Sequence, residues 1–498
     1  MTDVYYWLGD ASETTASVIV RSDTAGTLTL TGCTNDGPHA VDPAVDYGIV
    51  KFNVTGLSAD TSYMFAVHLD SAEVADGALR TMPTSGVTWS FGFGSCVGQN
   101  RPQVYGYQLV IDHDIRAWFA LGDTPYCDGD LPVNGLGLCR WTVGPARGST
   151  YTTWDTGRVA WDYGYANLQK TPGWEYLTQR VPTYRMPDDH EYGNDWDWTT
   201  DNVANFGAPA ATITTQAQID TCGGYANAAA WSWNKGNPAN SDPEIGDWAP
   251  SSCADAASNH PTKYYRKTIG NVEFFHIDCY AHMDAWAKAD KYRTVCIDNA
   301  TLNAVLGYTY SNPSAAALAK TRLGPYQLNW LLTHLASSTA TFKVILSGKH
   351  TFMALAQSDN EGWSGYATER DYIIAFIRKY ITGCIWLTGD VHTASVINDL
   401  SGHCAVNSST LGQVEWIDGT GSVGYRPGFA ENMTWRANGH SGAAGTGLNP
   451  NTYGVVDVTD AYIRPKIYKD NGTLLWSAYL KAGKNYLQPS LDEPGEWA

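Results

Sequence analysis

The stretch WFALGDTPYCDGD, residues 118–130, decides how the chain is read. Four apolar residues, Trp118, Phe119, Ala120 and Leu121, stop at Gly122-Asp123, which reads as a buried strand that ends by presenting a carboxylate. In open α/β sheets ligands bind at the carboxyl ends of strands, and Asp123 stands at such an end. Tyr126 follows three residues later, and an aspartate and a phenol at that spacing can face one cation. Gly-Asp is also ordinary turn chemistry, so the stretch acquires meaning only with company. Working outward, other apolar runs end the same way. They are the strand over 89–94 before Ser95-Cys96, a short strand before Asp188-Asp189-His190-Glu191, the strand over 342–346 before Gly348-Lys349-His350, and the strand over 385–387 before Gly389-Asp390-Val391-His392.

The wider pattern sets these strands in two regions. Residues 1–85 read as short strands between turns, over 4–8, 16–21, 26–31, 48–54, 62–69 and 77–81, with period-2 alternation clear in SVIVR and TLTLT. This predicts an N-terminal β-sandwich domain. Leu57 and Tyr63 flank a turn in NVTGLSADTSYMFAV, as in fibronectin type III modules, so the sandwich is expected to be fibronectin-III-like. From residue 89 to 498 strands alternate with helices, which argues an α/β domain. Helices are expected over 103–112, 159–179, 323–335 and 369–380, a single strand over 267–277, and closing strands over 454–458, 461–468 and 474–480. Residues 194–262, low in charge and rich in Ala, Asn, Gly and Trp, are too long for a plain loop and predict a lid-like insertion.

The 498 residues are 43% hydrophobic and carry a formal net charge of −18. That charge argues against a stable nucleic-acid complex and against anionic membranes. An acidic protein handling an anionic substrate must import positive charge, and bound metal ions do this. No window approaches the roughly 20 apolar residues of a membrane span. Ten cysteines suggest disulfides and an oxidising compartment, hence a secreted, periplasmic or cell-surface protein, with Cys127/Cys139, Cys222/Cys253 and Cys279/Cys296 as neighbouring pairs. Nothing in the sequence sets the oligomeric state.

The strand-end residues mix carboxylate, phenolate, thiolate and imidazole. Hard oxygen donors with imidazole suit iron, manganese or calcium better than a structural zinc. Each residue alone also has a plainer reading: Cys96 as half of a disulfide or a buried small apolar side chain, Asp188 and Asp189 as a helix N-cap, His350 as a core histidine, Asp390 and His392 as turn residues.

Taken in order, Ser95-Cys96, Gly122-Asp123-Thr124-Pro125-Tyr126, Asp188-Asp189-His190-Glu191 and Gly389-Asp390-Val391-His392 resemble the motif series of the PhoD-like alkaline phosphatase branch of the calcineurin-like metallophosphoesterases. Leu323-Gly324, Gln327, Trp330-Leu331, Trp363, Gly365-Tyr366 and Arg370 match further landmarks, over about residues 89–460. The resemblance implies a four-layer α/β/β/α metallophosphoesterase sandwich and an alkaline phosphatase or phosphodiesterase. It implies Fe3+ held by Cys96, Asp123, Tyr126 and His392. Ca2+, or another divalent ion such as Mn2+ or Zn2+, would share Asp123 and use Asp189 and Asp390. Expected chemistry is in-line attack by a metal-bound oxygen on phosphorus, because metal ions neutralise phosphate charge and acidify water. His190 is the candidate general acid, Asp189 a catalytic ligand, and Arg370 (or Arg185) the clamp on a phosphate oxygen. The substrate would be a small-molecule or polymeric phosphate ester. Two departures touch the substrate pocket: Asp278-Cys279-Tyr280-Ala281 lacks the arginines the family often shows there, and the 194–262 insertion is long.

Two other classes remain open on sequence. One is a hydrolase with Cys96 as nucleophile and His190 or His392 as its base. The other is a secreted binding protein using its 20 tryptophans and 30 tyrosines on a carbohydrate or aromatic ligand. No phosphate-binding loop or nucleophile elbow is present.

Overall fold

The structure, a computed structural model, describes residues 4–44, 46–97, 104–125, 162, 164–192, 216–239, 263–284, 320–351, 362–390, 394–398, 403–408, 435–436 and 452–489. Seven strands open the chain: β1 (Val4–Ala11), β2 (Ala16–Ser22), β3 (Gly26–Thr31), β4 (His39–Val41), β5 (Ile49–Val54), β6 (Ser62–Leu69) and β7 (Ala72–Arg80). They pair into antiparallel sheets ordered β1-β2-β5 and β4-β3-β6-β7. Alternation decides which face is buried: Leu28 and Leu30 of β3 and Phe65, Val67 and Leu69 of β6 pack against Tyr6, Leu8, Val18, Val20 and Phe52 of the other sheet. Leu57 is buried, and the Tyr63 hydroxyl accepts the Ser58 N–H at 2.8 Å, closing the turn that the sequence singles out. The short edge strand β4 carries too little pattern to be read from sequence.

The larger part holds two mixed sheets of seven strands. The first contains β8 (Trp89–Gly94), β9 (Trp118–Ala120) and β10 (Thr183–Arg185), mutually parallel. The second contains β11 (Tyr265–Ile269), β12 (Val272–Ile277), β13 (Phe342–Ser347), β14 (Cys384–Thr388), β15 (Ser395–Asn398), β16 (Cys404–Asn407) and β17 (Trp435–Arg436), in the order β11-β12-β13-β14-β16-β15-β17. The chain then returns to complete the first sheet with β18 (Thr452–Val458), β19 (Tyr462–Lys469), β20 (Leu474–Lys481) and β21 (Gln488–Pro489), giving β10-β9-β8-β18-β19-β20-β21. Where one strand was expected over 267–277, there is a hairpin, β11-β12, with Ile269 opposite Val272. Gly270, at φ 55°, adopts the left-handed conformation that turns the chain there.

The two sheets face each other through aromatic rings. Phe119 of β9 lies 4.4 Å, centroid to centroid, from Phe274 of β12, and Phe91 of β8 meets both edge-on. Helices cover the outer faces. α1 (Val104–Ile111) and α2 (Trp174–Thr178) bury Tyr105, Leu109, Trp174 and Leu177 against Trp118, Ala120 and Val455. In the sequence-predicted helix over 159–179, described helix runs over 164–169 and then restarts as α2 after the Pro172-Gly173 break. Of the 194–262 insertion, the structure describes helix α3 (Gln216–Trp233), which packs Trp233 onto Trp7 at 5.0 Å and Tyr165 at 5.6 Å. α4 (Gly324–Ser337) and α5 (Ala367–Tyr380) bury their apolar residues in the same core cluster as Trp233 of α3, separate from that of α1 and α2. Leu328, Leu331, Leu332 and Leu335 of α4 are buried, the i, i+3, i+4, i+7 stripe visible in the sequence.

The cysteine reading needs one correction. Cys279 is a buried free thiol whose Sγ lies 3.5 Å from Ser347 Oγ, so the Cys279–Cys296 staple is not made. It sits inside the packing at the end of β12, where burial pushes the thiol up to about 11. Cys127, Cys139, Cys253 and Cys296 lie outside the described residues, as does the Cys222 side chain. Among the described residues no disulfide is present and no helix is long and apolar enough to cross a membrane.

Candidate metal centre

The parallel strands β8 and β9 run in register, Gly94 beside Ala120, so the loops beyond them leave the sheet side by side. They are laced by backbone hydrogen bonds from Cys96 to the Gly122 carbonyl and from Val97 to the Asp123 carbonyl. Beyond β14, the Asp390 N–H is donated to Ser95 Oγ at 3.1 Å, bringing the second sheet to the same point. Three residues here hold left-handed backbone: Cys96 (φ 60°), Asp123 (φ 54°) and Asp390 (φ 78°). Non-glycine side chains adopt that conformation at a cost, and the cost recurs at sites where side-chain aim matters. Gly122, at φ 86°, admits Asp188: a Cβ there would lie 2.3 Å from Asp188 Cβ. Glu191 fixes the arrangement from behind. Its carboxylate accepts the N–H groups of Asp123 (3.0 Å), Asp188 (2.8 Å) and Thr124.

The result is a buried acidic cluster at the mouth between the sheets. Cys96 Sγ lies 3.3 Å from Asp123 Oδ2 and 3.3 Å from the Asp390 carbonyl. Carboxylate oxygens of Asp123, Asp188, Asp189 and Asp390 lie within 4.8 Å of one another, and Asp123 and Asp189 also group with His190. His190 donates its backbone N–H to Asp123 at 3.4 Å, and its Nε2 faces Asp189 at 3.9 Å. The side chain of His190 is 15% exposed against 2% for Asp189, so among this group the imidazole is the one a solute can reach.

Electrostatics show what the cluster lacks. Burial, then Asp189 and Cys96, drive the Asp123 carboxyl well above the ordinary range. Burial does the same to Asp188, although Lys349 opposes it. Burial also works against ionisation of Asp189 and Asp390, but there Lys349 together with His190 (for Asp189) and His350 (for Asp390) outweighs it, and both are held low. Among the described residues neither carboxylate oxygen of Asp188 has a hydrogen-bond partner, and Lys349 Nζ meets Oδ2 only as an ion pair at 3.3 Å. Buried carboxylates at this spacing call for more positive charge than one lysine supplies. The residues present therefore fit a metal ion, and the donor set combines carboxylate oxygen, sulfur and imidazole.

Of the residues singled out in the sequence, Cys96, Asp123, Asp189, His190 and Asp390 converge here. Tyr126 and His392 lie outside the described residues. Arg370 is buried on α5, with Asp371 as its described ion-pair partner at 2.8 Å. Arg185 donates to Gln169 at 2.9 Å and lies between the rings of Trp7 (5.6 Å) and Trp174 (5.5 Å), where it serves the packing of the N-terminal strands. His350 reaches the cluster through Asp390, Nδ1 to Oδ2 at 3.2 Å. Lys349 is the residue that sequence reasoning passed over. Its Nζ contacts Asp188, Asp189 and Asp390 and is fully buried. The available signal was a lysine directly after an apolar strand, between a glycine and a histidine.

Comparison with known proteins places this site in a family context. Residues 91–452 match the family model described as PhoD-like phosphatase. A stretch of 86 residues is 36% identical to alkaline phosphatase D of Bacillus subtilis (strain 168), an overlap of 16% of this chain and 15% of that protein. Among solved structures, the fold is similar to one titled "Structure of PhoD", with a TM-score of 0.65 at 15% identity over 98% of this chain and 94% of that one. It is also similar to the purple acid phosphatase PPD1 from yellow lupin (Lupinus luteus) seeds, with a TM-score of 0.51 at 12% identity over 96% and 74%. With the family model spanning most of its length, the chain belongs to the PhoD-like phosphatase family.

Proposed function

We propose that this protein hydrolyses phosphate esters with the help of bound metal ions, as an alkaline phosphatase or phosphodiesterase. The observation that carries the reading is the convergence of Cys96, Asp123, Asp189, His190 and Asp390 from separate strand ends, three of them on left-handed backbone. Cys96, Asp123, Tyr126 and His392 would hold Fe3+, with Asp123, Asp189 and Asp390 also offering oxygens to Ca2+ or another divalent ion such as Mn2+ or Zn2+. When bound, such ions neutralise phosphate charge and lower the pKa of water. The chain's own residues do the rest. Asp123 and Asp390 aim their oxygens from left-handed backbone, and Glu191 holds the loops that carry Asp123 and Asp188-Asp189. His190, at the exposed edge, would hold the proton destined for the leaving-group oxygen. Arg370, catalytic in the family resemblance, would act on a phosphate oxygen only after exchanging Asp371 for it. The shell Cys96 shares with two aspartates favours ligation over a nucleophilic cysteine.

We also read residues 1–85 as a fibronectin-III-like domain, on the Leu57–Tyr63 turn, and residues 89–498 as the catalytic domain, with 194–262 as its insertion. Export to a secreted, periplasmic or cell-surface location is part of the same reading; its support is the cysteine content outside the described residues.

The test is metal analysis of the purified protein together with turnover of p-nitrophenyl phosphate and bis-p-nitrophenyl phosphate. We expect bound iron, a visible band from tyrosinate on ferric iron that Tyr126→Phe removes, and an Asp123→Asn variant that loses metal and at least about a thousandfold in turnover. A colourless, metal-free wild type with undiminished hydrolysis would overturn the assignment.

A further inference from the structure

Lys349 lies where a second cation would bind. Its Nζ is 2.9 Å from Asp189 Oδ1, 2.9 Å from Asp390 Oδ1 and 3.3 Å from Asp188 Oδ2. The ammonium donates to Asp189 and Asp390, and Asp188 faces it at ion-pair distance, so carboxylates from two loops gather on one cation. These three belong to the same four-carboxylate group whose oxygens approach one another within 4.8 Å. A calcium ion takes carboxylate oxygens at about 2.3–2.6 Å. On the same oxygens, such an ion would sit essentially where Nζ sits. Two cations cannot share that space, both for want of room and because they repel.

The lysine is built in and not simply near. Ser347 Oγ donates to the Lys349 carbonyl at 2.7 Å, and Trp363 Nε1 donates to the same Ser347 hydroxyl at 3.1 Å. Gly348 lets Asp188 come close, since a Cβ there would lie 3.1 Å from the Asp188 carboxyl carbon. The Tyr280 ring lies 5.4 Å from Nζ. The end of β13 thus delivers an ammonium to the carboxylates of Asp188, Asp189 and Asp390, while Cys96 Sγ meets Asp123 Oδ2 and the Asp390 carbonyl.

We propose that Lys349 is a resident cation competing with the second metal ion. It holds Asp188, Asp189 and Asp390 together in that ion's absence and weakens the site for calcium and other divalent ions, while leaving the Cys96–Asp123 side alone. A divalent ion enters this side only when the ammonium withdraws. The inference rests on the metal-dependent reading above and specifies how many ions that site takes.

The experiment is metal content per chain and calcium or manganese titration by calorimetry, on wild type, Lys349→Met, Lys349→Gln and Lys349→Arg. Both neutral variants are expected to take one more divalent ion than the wild type, or the same ion at least about tenfold more tightly. Their melting temperatures should rise with added calcium more than that of the wild type. Lys349→Arg, which keeps a cation, should gain neither. Equal stoichiometry and affinity across all four proteins would refute the competition while leaving the metal-dependent reading intact. No metal in any of them would instead refute that reading. Neutral variants that fail to fold even when produced with calcium present would show that a divalent ion cannot stand in for the ammonium, and would also overturn the proposal.

Discussion

At the scale of the residue, the site depends on side chains that touch no substrate. Glu191 accepts three backbone N–H groups from two loops, and burial pushes its carboxyl up to about 8. A glutamine there presents one oxygen and one NH2 group to the same three donors, so at least one contact becomes repulsive. We expect Glu191→Gln to lower metal content and turnover together, by about 10- to 100-fold, the range found when groups that orient metal ligands are removed. Far-UV circular dichroism should change little, because the strands are held by the paired sheets. Unchanged metal affinity in that variant would mean that the loops keep their shape without it. Lys349 was invisible in sequence for a related reason. Gly348-Lys349-His350 looks like a polar turn until the two sheets close and put three aspartates around the ammonium.

At the scale of the element, periodic segments were legible and irregular ones were not. The leucine stripe of α4 and the alternation of β3 and β6 match the faces the structure buries, because burial of one face is what imposes the period. The β11–β12 hairpin was missed because its strands are joined by only Gly270-Asn271 and their apolar residues run on as if continuous. Helix α3 carries no such stripe that points to its partner, yet it buries Trp233 against Trp7 and Tyr165 and donates the Trp233 Nε1–H to Asp162 at 2.9 Å. Asp162 in turn pairs with Arg21 of β2 at 2.6 Å. Trp233→Ala therefore opens a cavity and removes one hydrogen bond from a buried carboxylate. A loss of about 3–5 kcal/mol is expected, read as a lower midpoint in chemical denaturation. A loss under about 1 kcal/mol would mean that this joint does not hold the N-terminal strands.

At the scale of the whole molecule, acid should be the weak point. His276 lies on β12 with both ring nitrogens buried and, among the described residues, without hydrogen-bond partners, edge-on to Tyr265 at 4.6 Å. Burial lowers its pKa from 6.5 to about 3. Between those two values the unfolded chain binds the proton and the folded chain does not. This contribution to stability is therefore fully present above pH 6.5 and is lost as pH falls toward 3. His276→Phe should flatten the fall of the denaturation midpoint between pH 6.5 and 4 relative to wild type. A parallel pH profile in the two proteins would show that this imidazole is hydrated or paired. The net charge of −18 bears on function at the same scale, since an anionic ester can approach such a molecule productively only where cations are concentrated.

What the amino-acid order determined by itself was local: apolar runs that must be strands, their termination by Cys96, Asp123, Asp189 with His190, and Asp390, and the period of the long helices. These follow from neighbours in the chain, where a single face or a single turn decides each residue's environment. Only the tertiary structure decided that the strand ends share one mouth, that Glu191 braces it, that Arg185 belongs to packing and that Lys349 is its internal cation. Those outcomes depend on distances between residues far apart in the chain, set when two sheets pack face to face, and on burial, which turns a modest surface charge into a demand for a counter-charge.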